Sequence, residues 1–99
     1  MSAPAADESR EARVKRLRMR SMRRGIKEMD LILVAYADAR LADMDEDTLA
    51  HYDALLSEND QDLYQWVSGQ MPPPEPLAAM IADIRAVALS ASGGVGQRA

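Results

Sequence analysis

Apolar residues recur at intervals of three and four along most of this chain, and nowhere do polar and apolar positions alternate in a run bounded by turns. That periodicity belongs to helices with one buried face, so the chain reads as all-α, a single small five-helix bundle. The first helix, over about 8–23, sets Val14, Leu17 and Ser21 on a narrow inner stripe with Met22 beside them, and turns its arginines elsewhere. Gly25 is expected to stop it, because glycine takes the left-handed conformation at a helix C-terminus without a Cβ penalty. The second, about 26–39, is apolar nearly all round from Leu31 to Ala35, as suits a central buried helix; a short strand is the rival, and the flanks favour helix. The third, about 46–57, starts at Asp45 as N-cap and presents Leu49, Tyr52, Leu55 and Leu56 inward. The fourth, about 60–68, starts at Asn59 or Asp60, buries Leu63, Trp66 and Val67, and ends at Gly69. Met71-Pro72-Pro73-Pro74-Glu75-Pro76 is then extended, since each proline removes a donor and disfavours helix in the residue before it. The fifth, about 76–89, repeats Leu77, Met80, Ile81, Ile84 and Val87, the stripe of a helix that closes a bundle.

The 99 residues allow one domain, placed at 8–90, because a second core would need roughly 50 more. Residues 1–7 and 91–99 are small, polar and without periodicity, and both are expected to fray. Cysteine is absent, which excludes a disulfide framework, a thiolate nucleophile and cysteine-ligated zinc. The longest apolar run is about five residues, far below the roughly 20 of a membrane helix. Asp7, Glu8 and Glu11 among the N-terminal arginines, with no apolar segment, argue against a secretory signal and, less strongly, against a mitochondrial transit peptide. The expected place of action is the cytoplasm, with no membrane insertion.

The net charge of −4 conceals a division. Residues 1–27 hold nine of the twelve Lys and Arg against three acids; residues 28–99 hold three against thirteen. Such polarity can orient a protein on a charged partner, and the partner is expected to be anionic near the first helix.

Charge and core meet at Arg23-Arg24-Gly25-Ile26-Lys27-Glu28-Met29-Asp30. Taken alone, Gly25 ends one helix and Glu28 interacts favourably with the dipole of the next, by about 0.3–1 kcal/mol. The alternative is that this compact charged turn is a surface built to meet something. The arginines of the first helix fit a solvated face, or contact with nucleic acid, although stacking aromatics are missing there. His51 is expected to face water, and no second His, Cys or carboxylate pair gives it a metal or a triad. Gly93-Gly94 has no phosphate-binding fingerprint around it.

With those residues in view, the chain resembles the succinate dehydrogenase assembly factors, or flavinators, over about 13–88. Arg24-Gly25-Ile26-Lys27-Glu28-Met29-Asp30 looks like the family's Arg-Gly-x-x-Glu-x-Asp signature. Arg16-Leu17-Arg18-Met19-Arg20-Ser21 is similar to the stretch before it. Asn59-Asp60-Gln61-Asp62-Leu63-Tyr64-Gln65-Trp66-Val67 looks like the family's acidic turn followed by Leu-aromatic-x-Trp-aliphatic. Tyr64 stands where phenylalanine is frequent.

The resemblance implies a helical bundle that binds the flavoprotein subunit of succinate dehydrogenase, and in some bacteria of fumarate reductase. It promotes covalent attachment of FAD to a histidine of that subunit, is not itself an enzyme, and holds no cofactor stably, since the FAD sits in the partner. An assembly factor of this kind need only hold the partner so that flavin and histidine align. The partner-binding residues implied are Arg20, Arg24, Gly25, Glu28 and Asp30; Gly25 lets backbone approach, Arg24 and Glu28 offer charge-assisted hydrogen bonds, and Asp30 either braces the corner or touches the partner. The alternative class is a small nucleic-acid-binding or antitoxin-like regulator using the Arg-rich first helix.

Overall fold

The computed structural model describes residues 8–96, with side chains through residue 90. Ser9 opens the first helix, α1 (Arg10–Arg20), by accepting the Ala12 N–H at 3.0 Å on its hydroxyl. Its end lies three residues earlier than the sequence suggests. Ser21, fully buried, turns its N–H and its hydroxyl back onto the Leu17 carbonyl and meets the Tyr52 hydroxyl at 2.6 Å. The left-handed residue that follows is Arg23, at φ 53°, and not Gly25, which lies outside that region. Gly25 is therefore not the helix stop.

α2 (Lys27–Arg40) runs on through a 3₁₀ turn, Leu41–Asp43, that the hydrophobic pattern does not predict. It packs most extensively on α5 and also against α1 and α4, which makes it central as expected. It is not buried all round, however: Met29, Leu33, Tyr36 and Ala37 are in the core while Leu31 is 64% exposed. α1, α4 and α5 do not wrap this helix on every side, so one face of the apolar run is left to solvent.

α3 (Glu46–Leu56) is capped by Asp45, whose carboxylate accepts the Thr48 N–H at 2.8 Å, and buries Leu49, Tyr52, Leu55 and Leu56. α4 (Asp60–Ser68) is capped by Asn59 and closed by Gly69 at φ 87°. Leu63 and Val67 are buried there, but Trp66 is only half-buried at the core's edge, a correction to its expected place inside. α5 (Glu75–Gly96) buries all five residues of its predicted stripe. Proline is tolerated at its second position because first-turn N–H groups have no helical acceptor. The helix also runs past 91, where fraying is expected, since no further proline interrupts it. The expected tail at 1–7 and residues 97–99 lie outside the described residues.

Two polar seams fasten the bundle. At the end of α2, Tyr36 donates to Asp83 of α5 at 2.9 Å, and Arg40 grips the same carboxylate through two hydrogen bonds of 3.1 Å. The second seam runs along the solvated basic face. Every arginine of α1 is ion-paired: Arg10 and Arg13 with Glu46, Arg16 with Glu8 and Asp53, Arg18 with Asp38, and Arg20 with Asp53. Exposed pairs of this kind contribute about 0.2–1 kcal/mol each, yet together they spend the charge of α1 on its neighbours.

These contacts set the pH limits of the fold. The Arg40 guanidinium, with help from Tyr36, holds the Asp83 carboxyl below its ordinary 3.8; Arg16 does the same for Glu8 and the Thr48 cap for Asp45. A depressed carboxyl contributes stability above its unfolded value and loses it as pH falls through the folded one, so acid titration monitored by circular dichroism should show loss beginning below about pH 4. At the other end, burial pushes the Tyr52 hydroxyl up to about 12 and raises Tyr36 as well. Their contribution is complete below pH 10 and is lost as pH rises toward 12.

Candidate functional site

The loop between α1 and α2 is held by two carboxylates, each from the first turn of a helix, where negative charge is favoured. Asp60, the first residue of α4, takes Arg24 on one oxygen, with Nε at 2.8 Å and Nη2 at 2.7 Å. Its other oxygen accepts the Gly25 N–H at 2.6 Å. Asp30 of α2 accepts the Arg24 N–H at 2.6 Å. The remaining guanidinium donors of Arg24 reach the carbonyls of Arg20 at 2.9 Å and Leu56 at 3.0 Å. One arginine thus ties the end of α1, the end of α3 and the start of α4 together.

Arg24, expected to offer its guanidinium outward, is turned in, and its side chain is 11% exposed. Arg20 is likewise engaged, with Asp53 and with the Ser57 hydroxyl at 3.1 Å. Asp30 braces the corner. Gly25 and Glu28 face solvent. The space at glycine is tight: a Cβ at position 25 would stand 3.0 Å from the Asp60 oxygen that accepts its N–H, so that carboxylate would have to give by a few tenths of an ångström. Asp60 is the residue that sequence reasoning missed as part of the site. The signal lay in the acidic turn Asn59-Asp60-Gln61-Asp62, where Asn59, by taking the cap, leaves Asp60 free to reach across.

Glu28 stands at the mouth of a groove of about 330 Å³ between α2, α4 and α5, floored by Ile32, Tyr64 and Val67 and rimmed by Arg85 and Leu89. Leu31, one turn beyond Glu28 on α2, and Leu89, at 72% exposure, add apolar surface beside it. On another face, His51 is half-buried and donates from Nε2 to the Pro76 carbonyl at 2.8 Å, which corrects its expected freedom in water and ties α3 to the first turn of α5. Glu75 and Pro76, expected in the extended connector, are helical. Among the described residues no cluster of His, Asp or Glu could hold a metal ion, and no helix is long and apolar enough to cross a membrane.

Fold and site together define a small helical scaffold that presents a hydrogen-bonded corner: exposed glycine backbone, an outward acid and adjoining apolar surface. The family described as flavinator of succinate dehydrogenase matches residues 15–88, a span that contains the whole corner and its latch, and the chain belongs to that family. The family is one of assembly factors, not enzymes. The chain is 30% identical over 73 residues to the mitochondrial succinate dehydrogenase assembly factor 2 of Arabidopsis thaliana, covering 74% of this chain and 39% of that protein. It thus spans about two-fifths of the curated relative's length.

Proposed function

We propose that this chain binds the flavoprotein subunit of succinate dehydrogenase and promotes covalent attachment of FAD to a histidine of that subunit. The observation that supports it is the family match across residues 15–88, which takes in both the Arg24-Gly25 loop and the Asp60 that holds it. In this reading Gly25 and Glu28 meet the partner, while Arg20, Arg24 and Asp30 act on it through the shape of the corner. The bond joins the flavin 8α-methyl carbon to an imidazole nitrogen of the partner's histidine. The methyl carbon and the imidazole nitrogen each give up a proton, the electron pair passes into the flavin ring, which is left reduced and protonated, and the flavin stays in the partner throughout. The chain's part is to select a partner conformation in which the two are aligned, which lowers the entropic share of the barrier. A pre-latched corner suits that task, because a loop that must order on binding loses affinity to its own immobilisation. The cytoplasm is the proposed place of action.

Co-expression with the cognate flavoprotein subunit, followed by in-gel flavin fluorescence of the denatured band, tests this directly; equal fluorescence with and without the chain would sink it. The flavoprotein of fumarate reductase is the second client to try in the same assay. The nucleic-acid alternative loses its ground, since the α1 arginines are already paired with carboxylates.

Glu28→Ala should weaken binding of the flavoprotein subunit by about 2 kcal/mol, because a basic partner group would be left unpaired in a desolvated contact. His51→Ala should leave binding unchanged and lower stability by about 1 kcal/mol through its lost bond to Pro76. Calorimetry and melting curves of the two variants give the comparison, and equal binding losses would move the site elsewhere.

A further inference from the structure

The signature arginine, Arg24, is turned inward and offers no cation outward at the corner. Every arginine of α1 is ion-paired, as are Arg24 and Arg40. Arg23 and Lys27 on the corner, with Lys15 and Arg85 elsewhere, are exposed and make no ion pair among the described residues, and of these four Arg23 alone has a positive φ. Its backbone sits at φ 53°, a left-handed conformation that costs an L residue with a Cβ and that glycine or asparagine would adopt more readily. The loop is fixed on both sides of it, by the Ser21 and Met22 N–H groups bonded back onto α1 and by the Arg24 N–H on Asp30. A strained residue held this firmly, whose side chain contributes nothing to the fold, is a candidate for function.

We propose that Arg23 is the residue through which the corner pairs with a carboxylate on the docking face of the flavoprotein partner, Arg24 serving only to hold the loop that presents it. Gly25, two residues on, has no side chain to obstruct an incoming acidic group. The planar guanidinium can engage a carboxylate through two parallel hydrogen bonds, which a lysine cannot reproduce. With Glu28 of opposite sign on the same corner, the pair of charges also fixes the partner's orientation. This inference rests on the functional reading above and adds a specific residue and ligand chemistry to it.

The test uses the full chain and the purified flavoprotein subunit, with affinity measured by calorimetry at about 50 and 300 mM salt, a range over which exposed charge pairs become screened. Arg23→Gly should keep or raise the melting temperature, because it relieves the left-handed strain, while weakening binding about tenfold or more at low salt and flattening its salt dependence. Arg23→Lys should bind between the two, retaining charge without the fork. A lowered melting temperature for Arg23→Gly would make the residue structural and overturn the inference. Wild-type affinity in Arg23→Gly would overturn it too, leaving the functional reading intact. If the unaltered chain fails to bind the flavoprotein subunit at all, the functional reading falls and this inference with it.

Discussion

Replacing Arg24 by alanine should lower the melting temperature by about 10 °C or more and abolish support of flavin attachment as a consequence of the lost loop. Removing one partner of a buried ion pair costs about 3–5 kcal/mol, and with side chains 11% and 20% exposed, the Arg24–Asp60 pair loses part of that to solvent, leaving about 2–3 kcal/mol. For a domain of this size each kcal/mol moves the midpoint by about 4–8 °C. Arg24→Ala also leaves the Arg20 and Leu56 carbonyls without their donor. Asp60→Ala should be nearly as damaging, since it strands both the guanidinium and the Gly25 N–H. The two substitutions combined should cost clearly less than the sum of the singles, with a coupling of about 1–3 kcal/mol. Melting curves of the two singles and the double decide it: strict additivity, or an Arg24→Ala protein as stable as the parent, would show that the latch does not hold the corner.

Gly25→Arg should eliminate covalent flavin in a co-expressed flavoprotein subunit while the protein stays helical by circular dichroism. The new Cβ alone would be 3.0 Å from the Asp60 oxygen, so the carboxylate must give by a few tenths of an ångström, and the long side chain then occupies the approach to the exposed backbone. Because Gly25 does not adopt a left-handed conformation, no backbone strain accompanies the change. Gly25→Ala separates the two effects: it introduces the crowding without the obstruction, and should cost about 1 kcal/mol in stability while retaining most of the activity. Normal flavin fluorescence with Gly25→Arg would mean that the partner does not approach this corner. Collapse of the helical signal would mean that Gly25 serves the fold alone.

The five helices, their order and most of their inward faces could be read directly from the chain, because apolar positions with a period near 3.6 line one side of a helix and would scatter over both sides of a strand. Leu77, Met80, Ile81, Ile84 and Val87 are all buried in α5, and Asp45, Asn59 and Gly69 stand at the helix ends where capping chemistry puts them. Those are local properties, decided within one turn of helix. The corner was legible as a charged turn meeting an apolar run, but its internal wiring was not. Asp60 is 36 residues from Arg24, and nothing in either segment's periodicity says that one carboxylate accepts from both the arginine and the glycine. The same reason explains why the ion pairs of the α1 arginines were not legible: composition shows nine cations in the first 27 residues, whereas their partners Asp38, Glu46 and Asp53 lie on later helices. Exposure of Leu31 and the partial exposure of Trp66 also depend on which neighbours arrive, not on the helix that carries them. Periodicity and capping act over three or four residues and so are written in the chain, while the pairing of charges across helices depends on distances that exist only after the helices have packed.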